Sequence, residues 1–392
     1  MPDGLILWGK CSVKKPAAQS LQPVFMVGTP KSGTTFLLSL FDSHPSVISL
    51  LETAVYHLPL RSVHDRSGLI AKLNTFYSTL MGQHTIHAGI TPTDLRAGFE
   101  RLEVQAPWSH LPRTILQLLL SIVMDKMERE AAGCLTHFIE KTPRQYDAVD
   151  AMFEDFPTAK VIHVLRDPRD NYLALKRMMD EPGYQGIGYQ PSNFIRDRLL
   201  ASLEAAYRNV TKYQDQYRLV FYEDLILGGE PVIREIAAWL DLPWHDLLMV
   251  PSYGGELWKG NSLDSDLKDR LKPFDRRPIG RWKSALNEQE IEILEWVIQS
   301  YALSEKYPLT RSRTVWQRFW QLTQPFPREL RGTGLPERRL WPKRLWQAFA
   351  WNYVSRRVWI AWCLLTRVQN SDRRLTRGAF ACPGVSNSAS QT

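Results

Sequence analysis

Short apolar runs, separated by glycine-rich or polar turns, alternate with stretches of helical spacing along most of this 392-residue chain. Val24 to Val27 is a continuous apolar run that enters the turn GTPKSGTT. Thr35 to Asp42 then repeats apolar residues at helical spacing and stops before His44-Pro45, because a residue preceding proline is pushed out of the α region. That order predicts strand, loop, helix. Val161 to Leu165 (VIHVL) opens a second unit of the same kind, a β-branched run suited to a buried parallel strand. Asp167 reads as the cap of the next helix, Pro168 suits its first position, and Asp170 stands where a capping box wants a carboxylate. Leu111 to Ala132 repeats Ile115, Leu118, Leu119, Ile122 and Val123 and ends at Gly133, as a long amphipathic helix would. Asp65 to His110 predicts helical insertions, Arg218 to Tyr222 a strand, and Pro231 to Leu240 a helix. Glu288 to Ala302 predicts a helix with Asn287 and Glu290 as its capping box. The whole predicts an α/β fold of three layers around a central parallel sheet.

Composition adds organisation. Hydrophobic residues at 44% and charged residues at 23% exclude collagen-like, wholly disordered and polytopic membrane classes. The longest fully apolar run, Val358 to Leu365, is too short to cross a bilayer, and the first ten residues lack the pattern of a signal peptide, so a cytoplasmic location is expected. Cys11, Cys134, Cys363 and Cys382 are widely spaced, which argues against a disulfide framework or a zinc site; no metal is expected. The net charge of +8 is uneven: residues 310–392 hold 15 Arg and Lys against three Asp and Glu, and seven of the 14 tryptophans. The basic character therefore belongs to an appendage. Expected boundaries are an N-terminal arm (1–20), an α/β domain (21–309), a basic Trp-rich helical extension (310–380) and a disordered tail (381–392).

The turn GTPKSGTT carries candidate chemistry. A loop between strand and helix offers backbone N–H groups at the positive end of a helix dipole, and glycines let it close on an anion. Gly28, Gly33, Thr34 and Thr35 fit that role. A Walker A loop would place lysine where Thr34 stands, whereas Lys31 here lies upstream of the second glycine. A nucleotide-dependent kinase or NTPase would lack the charge that meets the γ-phosphate, while Lys31 can meet a group at the 5′ end of a shorter nucleotide.

GTPKSGTT followed by LFDSHPSV resembles the 5′-phosphosulfate loop of sulfotransferases that use 3′-phosphoadenylyl sulfate (PAPS), nearest to the tyrosylprotein-sulfotransferase-like branch. VIHVLRDPRDNYLALKR is similar to the family's 3′-phosphate motif, and KPFDRRPIGRW to its C-terminal PAPS-contacting stretch. The resemblance spans residues 22 to 309 and implies a P-loop-like fold and sulfuryl transfer to a hydroxyl acceptor. It implies that Lys31, Ser32, Gly33, Thr34 and Thr35 hold the 5′ end, that Arg166 grips the 3′-phosphate, and that Tyr222, Lys272 and Arg281 contact the nucleotide. It implies Glu52 as catalytic base, with Lys141 and Lys31 stabilising the leaving group. His57 is the best alternative base, and His44 is expected to cap the preceding helix. Ala174 and Asp266 stand where the family pattern has serines, so one hydroxyl for the 3′-phosphate is missing.

The tail segments WQRFWQL, RRLWPKRLWQAFAW and RRVWIAWCLL mix Arg with Trp and Leu. Such a pattern suits an amphipathic helix in a membrane interface, or packing of the same aromatics on the α/β domain. Nucleic acid is not expected as a partner, because no recognised module accompanies the charge. The acceptor classes left open are small-molecule, lipid-linked and glycan hydroxyls, and a non-enzymatic peripheral membrane module remains a rival reading.

Overall fold

A computed structural model describes residues 17–368, apart from 60–62, 82–85, 88–89, 105–109, 128–133, 181–190, 255, 259, 261–271, 311–313 and 325–342. Most of the arm expected at 1–20, and all of the tail expected at 381–392, lie outside the described residues, as does Asp266.

The chain enters β1 (Gln22–Gly28), turns through the glycine loop into α1 (Thr34–Phe41), and returns as β2 (Val47–Leu51). Three helices follow, α2 (Arg66–Met81), α3 (Pro92–Glu100) and α4 (Leu111–Lys126), the first two within the stretch expected to hold insertions. Then come β3 (His137–Lys141), α5 (Val149–Asp155), β4 (Lys160–Leu165) and α6 (Pro168–Met178). The next helix starts as α7 (Pro191–Phe194), passes through a π-helical stretch (Ile195–Leu200) and continues as α8 (Ala201–Tyr213). β5 (Tyr217–Phe221), α9 (Tyr222–Gly228), α10 (Glu230–Trp239), a small hairpin of β6 (Ser252–Tyr253) and β7 (Glu256–Leu257), α11 (Trp282–Ala285) and α12 (Glu288–Ser300) complete the α/β unit. Two further helices, α13 (Val315–Thr323) and α14 (Lys343–Val368), follow it.

Five strands form one parallel sheet in the order β2-β3-β1-β4-β5. Side chains alternate across it: Phe25 and Val27 join the apolar cluster on one face, Val24 and Met26 the cluster on the other. Both faces are covered, which is why a central strand such as β1 reads as an unbroken apolar run. Met26 and Leu51 both pair with Lys141, Gly28 with Val164, and Leu165 with Phe221, so the carboxyl ends of all five strands share one edge.

Several local expectations change. α4 ends at Lys126, with Met127 as its cap, rather than running to Ala132; residues 128–133 lie outside the described residues. Asp167 caps α6, accepting from the Arg169 N–H, but Asp170 does not close a capping box. Its carboxylate reaches across to the N–H groups of Gly280 (2.6 Å) and Trp282 (3.0 Å), because α6 abuts the segment before α11 and leaves those donors otherwise unpaired. Asn287 and Glu290 do form the box at the start of α12. His44 does not cap α1: its Nδ1 accepts from the Ser46 N–H (3.1 Å) and its Nε2 donates to the Pro243 carbonyl (2.9 Å).

Candidate active site at the carboxyl edge of the sheet

Each strand delivers one group to the shared edge: β1 the glycine loop, β2 Glu52, β3 Lys141, β4 Arg166 and β5 Tyr222. Ligands of open α/β sheets bind in the crevice outside such an edge.

The loop is shaped by two unusual backbone conformations. Gly33, the N-cap of α1, has φ 104°, and a Cβ there would lie 2.4 Å from Cδ2 of Tyr222. Lys31 has φ 68°. The loop carbonyls are anchored from outside: Asn171 Nδ2 donates to the Pro30 carbonyl (2.9 Å) and Arg166 Nη1 to that of Lys31 (3.1 Å). Arg166 Nη2 also donates to the Pro278 carbonyl (2.7 Å), and its guanidinium stacks 4.7 Å from the centroid of Tyr222. Arg166 thus ties the loop to the 272–282 segment. Asp167 pairs with Arg169, at 2.9 Å.

Two polar atoms in this cradle, Ser32 Oγ and Arg166 Nε, are buried with no hydrogen-bond partner. Orphaned donors beside the N-terminus of α1 and a glycine closed against a tyrosine ring fit the anionic oxygens of a nucleotide. Burial pushes the Tyr222 hydroxyl up to about 12.

The second group lies at the ends of β2 and β3. Lys141 is completely buried, and its Nζ donates to Glu52 Oε1 at 2.5 Å and to Thr35 Oγ1 at 3.1 Å. Burial holds this ammonium below the ordinary lysine range, opposed by the attraction of Glu52. Glu52 keeps a 39% exposed side chain and so meets both solvent and the buried lysine. Its backbone N–H donates to the Lys141 carbonyl at 2.6 Å.

Lys31, Ser32, Gly33, Thr34, Thr35, Arg166 and Tyr222 therefore gather around one cradle, with Glu52 and Lys141 joined to it through Thr35. Arg281 is the N-cap of α11, one residue before the Trp282 N–H held by Asp170. Lys272 is exposed, its N–H donating to Asp275 (3.4 Å). His57 Nε2 lies 2.9 Å from Asp147 Oδ1. Ala174 is half-buried on α6. Asn171 and Glu140 were not singled out from sequence, and Asp170 was singled out only as a helix-capping carboxylate. Asn171 lies within the 3′-phosphate motif, but nothing in its type marks it as an anchor for a distant loop. Among the described residues no group of three or more His, Cys, Asp or Glu is placed to hold a metal ion.

The sulfotransferase family model matches residues 23–246, more than half of the chain, and the chain belongs to that family. It is 25% identical over 267 residues to a protein-tyrosine sulfotransferase of Drosophila melanogaster, covering 66% of this chain and 46% of that protein. It is 24% identical over 267 residues to protein-tyrosine sulfotransferase 1 of Danio rerio, covering 66% and 65%. The chain thus spans about half to two thirds of the length of these curated relatives. Among solved structures, the sulfotransferase domain of the Synechococcus PCC 7002 olefin synthase aligns with TM-score 0.44 and 21% identity, over 72% of this chain and 93% of that one. Mouse sulfotransferase SULT7A1, solved with PAP, aligns with TM-score 0.39 and 12% identity over 75% and 87%.

Proposed function

We infer that this protein transfers a sulfuryl group from PAPS to a hydroxyl acceptor by in-line displacement. The observation that carries this is the contact of Lys141 with both Glu52 and Thr35 beside a phosphate-type loop whose lysine is out of the Walker position. PAPS supplies the activated sulfate. Ser32 to Thr35 hold its 5′ end, Arg166 meets the 3′-phosphate with its unused Nε, and Tyr222, Arg281 and Lys272 border the nucleotide. Glu52, half-open to solvent, takes the proton of the acceptor hydroxyl as its oxygen bonds to sulfur. Lys141 and Lys31 stabilise the charge that grows on the departing phosphate as the S–O bond to it breaks. In this role the Glu52–Lys141 pair opens when substrates enter, releasing the ammonium toward the leaving group.

The acceptor belongs to the hydroxyl class, as in the protein-tyrosine sulfotransferases this chain is similar to. The exposed tryptophans of α13 and α14 favour an acceptor carried at a membrane surface, reached by a cytoplasmic enzyme through peripheral contact. Labelled PAPS incubated with a tyrosine peptide, a phenol, a simple glycoside and a glycolipid tests the reading. A mass gain of one SO3 on any of them is expected. Magnesium-dependent ATP turnover with no response to PAPS would replace it with an NTPase. Lys31→Ala should lower turnover at least ~100-fold, about 2.7 kcal/mol of transition-state stabilisation; full turnover in that variant would remove the lysine from the chemistry.

A further inference from the structure

The chain neighbours of the two reacting groups are held as firmly as the groups themselves. Glu140 precedes Lys141 on β3 and has no exposed surface. Successive strand residues face opposite sides of the sheet, so Lys141 meets Glu52 on one side while Glu140 faces the other. There its Oε1 accepts from the Thr53 N–H (3.2 Å), Thr53 Oγ1 (2.7 Å) and Thr142 Oγ1 (2.5 Å). Thr142 Oγ1 in turn accepts from the Ala54 N–H (3.2 Å), and the buried Tyr77 hydroxyl donates to the Thr53 carbonyl (3.1 Å). The dipeptide Glu140-Lys141 therefore clasps the dipeptide Glu52-Thr53, one residue on each side.

What it clasps is strained. Glu52 (φ 50°) and Ala54 (φ 53°) are both left-handed without being glycine, a conformation costing about 1–3 kcal/mol per residue that persists only where the surroundings over-determine it. An apolar side chain at position 140 would avoid the desolvation of a buried carboxylate. Burial pushes Glu140 up, opposed by the hydrogen bonds from Thr142 and Thr53. A carboxylate retained there, with three donors on one oxygen, matches a need to fix the segment after Glu52.

We propose that Glu140 is a positioning residue, which holds Thr53 directly and Ala54 through Thr142 and so fixes the strained backbone from which the Glu52 carboxylate reaches the acceptor hydroxyl. This rests on Glu52 being the base. The test compares Glu140→Ala and Glu140→Gln, each in the wild-type and Glu52→Gln backgrounds. Turnover of PAPS is measured with the best acceptor of the panel, affinity for adenosine 3′,5′-bisphosphate by calorimetry, and hydrogen exchange over residues 50–58. Glu140→Ala should lower kcat about 30-fold, as expected for a displaced reacting group, with faster exchange over 50–58 and bisphosphate affinity within about threefold. Glu140→Gln keeps an acceptor oxygen and should stay within about fivefold of wild type. In the Glu52→Gln background Glu140→Ala should cost nothing further. Full turnover in folded Glu140→Ala, equal losses in both backgrounds, or collapse of bisphosphate affinity would overturn the proposal. If Glu140→Ala does not fold, Thr53→Val removes one donor at constant size, and full turnover in that variant overturns it equally. Wild-type protein inert toward PAPS would refute the sulfotransferase reading instead, leaving the exchange data to judge the hold on Thr53.

Discussion

His163 and Glu223 are buried ionisable side chains outside the proposed chemistry, and they pull stability in opposite directions. The His163 ring lies between Tyr217 Oη (2.5 Å from Nδ1) and Ser202 Oγ (2.8 Å from Nε2), and burial pushes it down to about 3. Glu223 accepts from the Asp167 N–H (3.0 Å) and the Tyr307 hydroxyl (2.7 Å); burial, followed by the nearby Asp167 charge, pushes it up to about 7. Below an ordinary histidine pKa of about 6.5 the unfolded chain takes a proton that folded His163 refuses. Stability is therefore lost as pH falls from there toward 3, at up to about 1.4 kcal/mol per unit. Folded Glu223 keeps a proton that the unfolded chain gives up, so its contribution is lost as pH rises from about 4.5 through 7, with a similar slope. Between about pH 4.5 and 6.5 the two offset each other. Denaturant titrations across this range should therefore show Glu223→Gln gaining stability with rising pH and His163→Gln losing it. Parallel profiles for the two variants would mean that neither group titrates as its burial requires.

Among the elements, the glycine loop makes the sharpest demand on side-chain size. Gly33→Ala places a Cβ on the Tyr222 ring in a left-handed conformation and should weaken adenosine 3′,5′-bisphosphate binding at least ~10-fold, since alanine cannot hold that φ without strain. Unchanged affinity by calorimetry would show that the loop does not close on the ligand. This loop, β1, β4 and the caps at Asp167 and Asn287 were readable from sequence because glycine spacing, β-branched runs and short polar caps each impose their own local geometry. β2 and β3 were not. In HFIEK, His137, Glu140 and Lys141 are all buried, so a central strand carries polar side chains where an apolar run would have announced it. The same substitution hid Glu140, whose role exists only once β3 lies beside the end of β2. Asp170 was misread for a related reason: its position in the chain suits a cap, but the donors it serves are more than a hundred residues away.

At the scale of the whole molecule, packing on the α/β unit and contact with a membrane are not exclusive fates for the basic, tryptophan-rich region. Leu322 from α13 and Ile360, Ala361 and Leu364 from α14 enter the main apolar cluster, and Arg357 Nε donates to the Leu322 carbonyl. The opposite sides stay open. Eight of the eleven large apolar side chains exposed among the described residues belong to these two helices, Trp316 at 80% and Trp362 at 62% among them. No helix among the described residues is long and apolar enough to cross a membrane. The peripheral contact proposed above would set this exposed Trp surface, in a strongly basic region, against the interface of an anionic bilayer. Trp316→Ala combined with Trp320→Ala should cut co-sedimentation with phosphatidylglycerol-containing vesicles about 10-fold and leave the thermal midpoint unchanged. Equal sedimentation of variant and wild type would dismiss this surface as a lipid contact. The common edge of the five strands also limits how such an enzyme can diverge. A single inserted or deleted residue in a strand moves its contribution by about 3.3 Å and turns it to the other face, so the edge can accept exchanged side chains but not altered lengths. The long stretch joining β2 to β3, by contrast, can take additions that leave the spacing of the pocket intact.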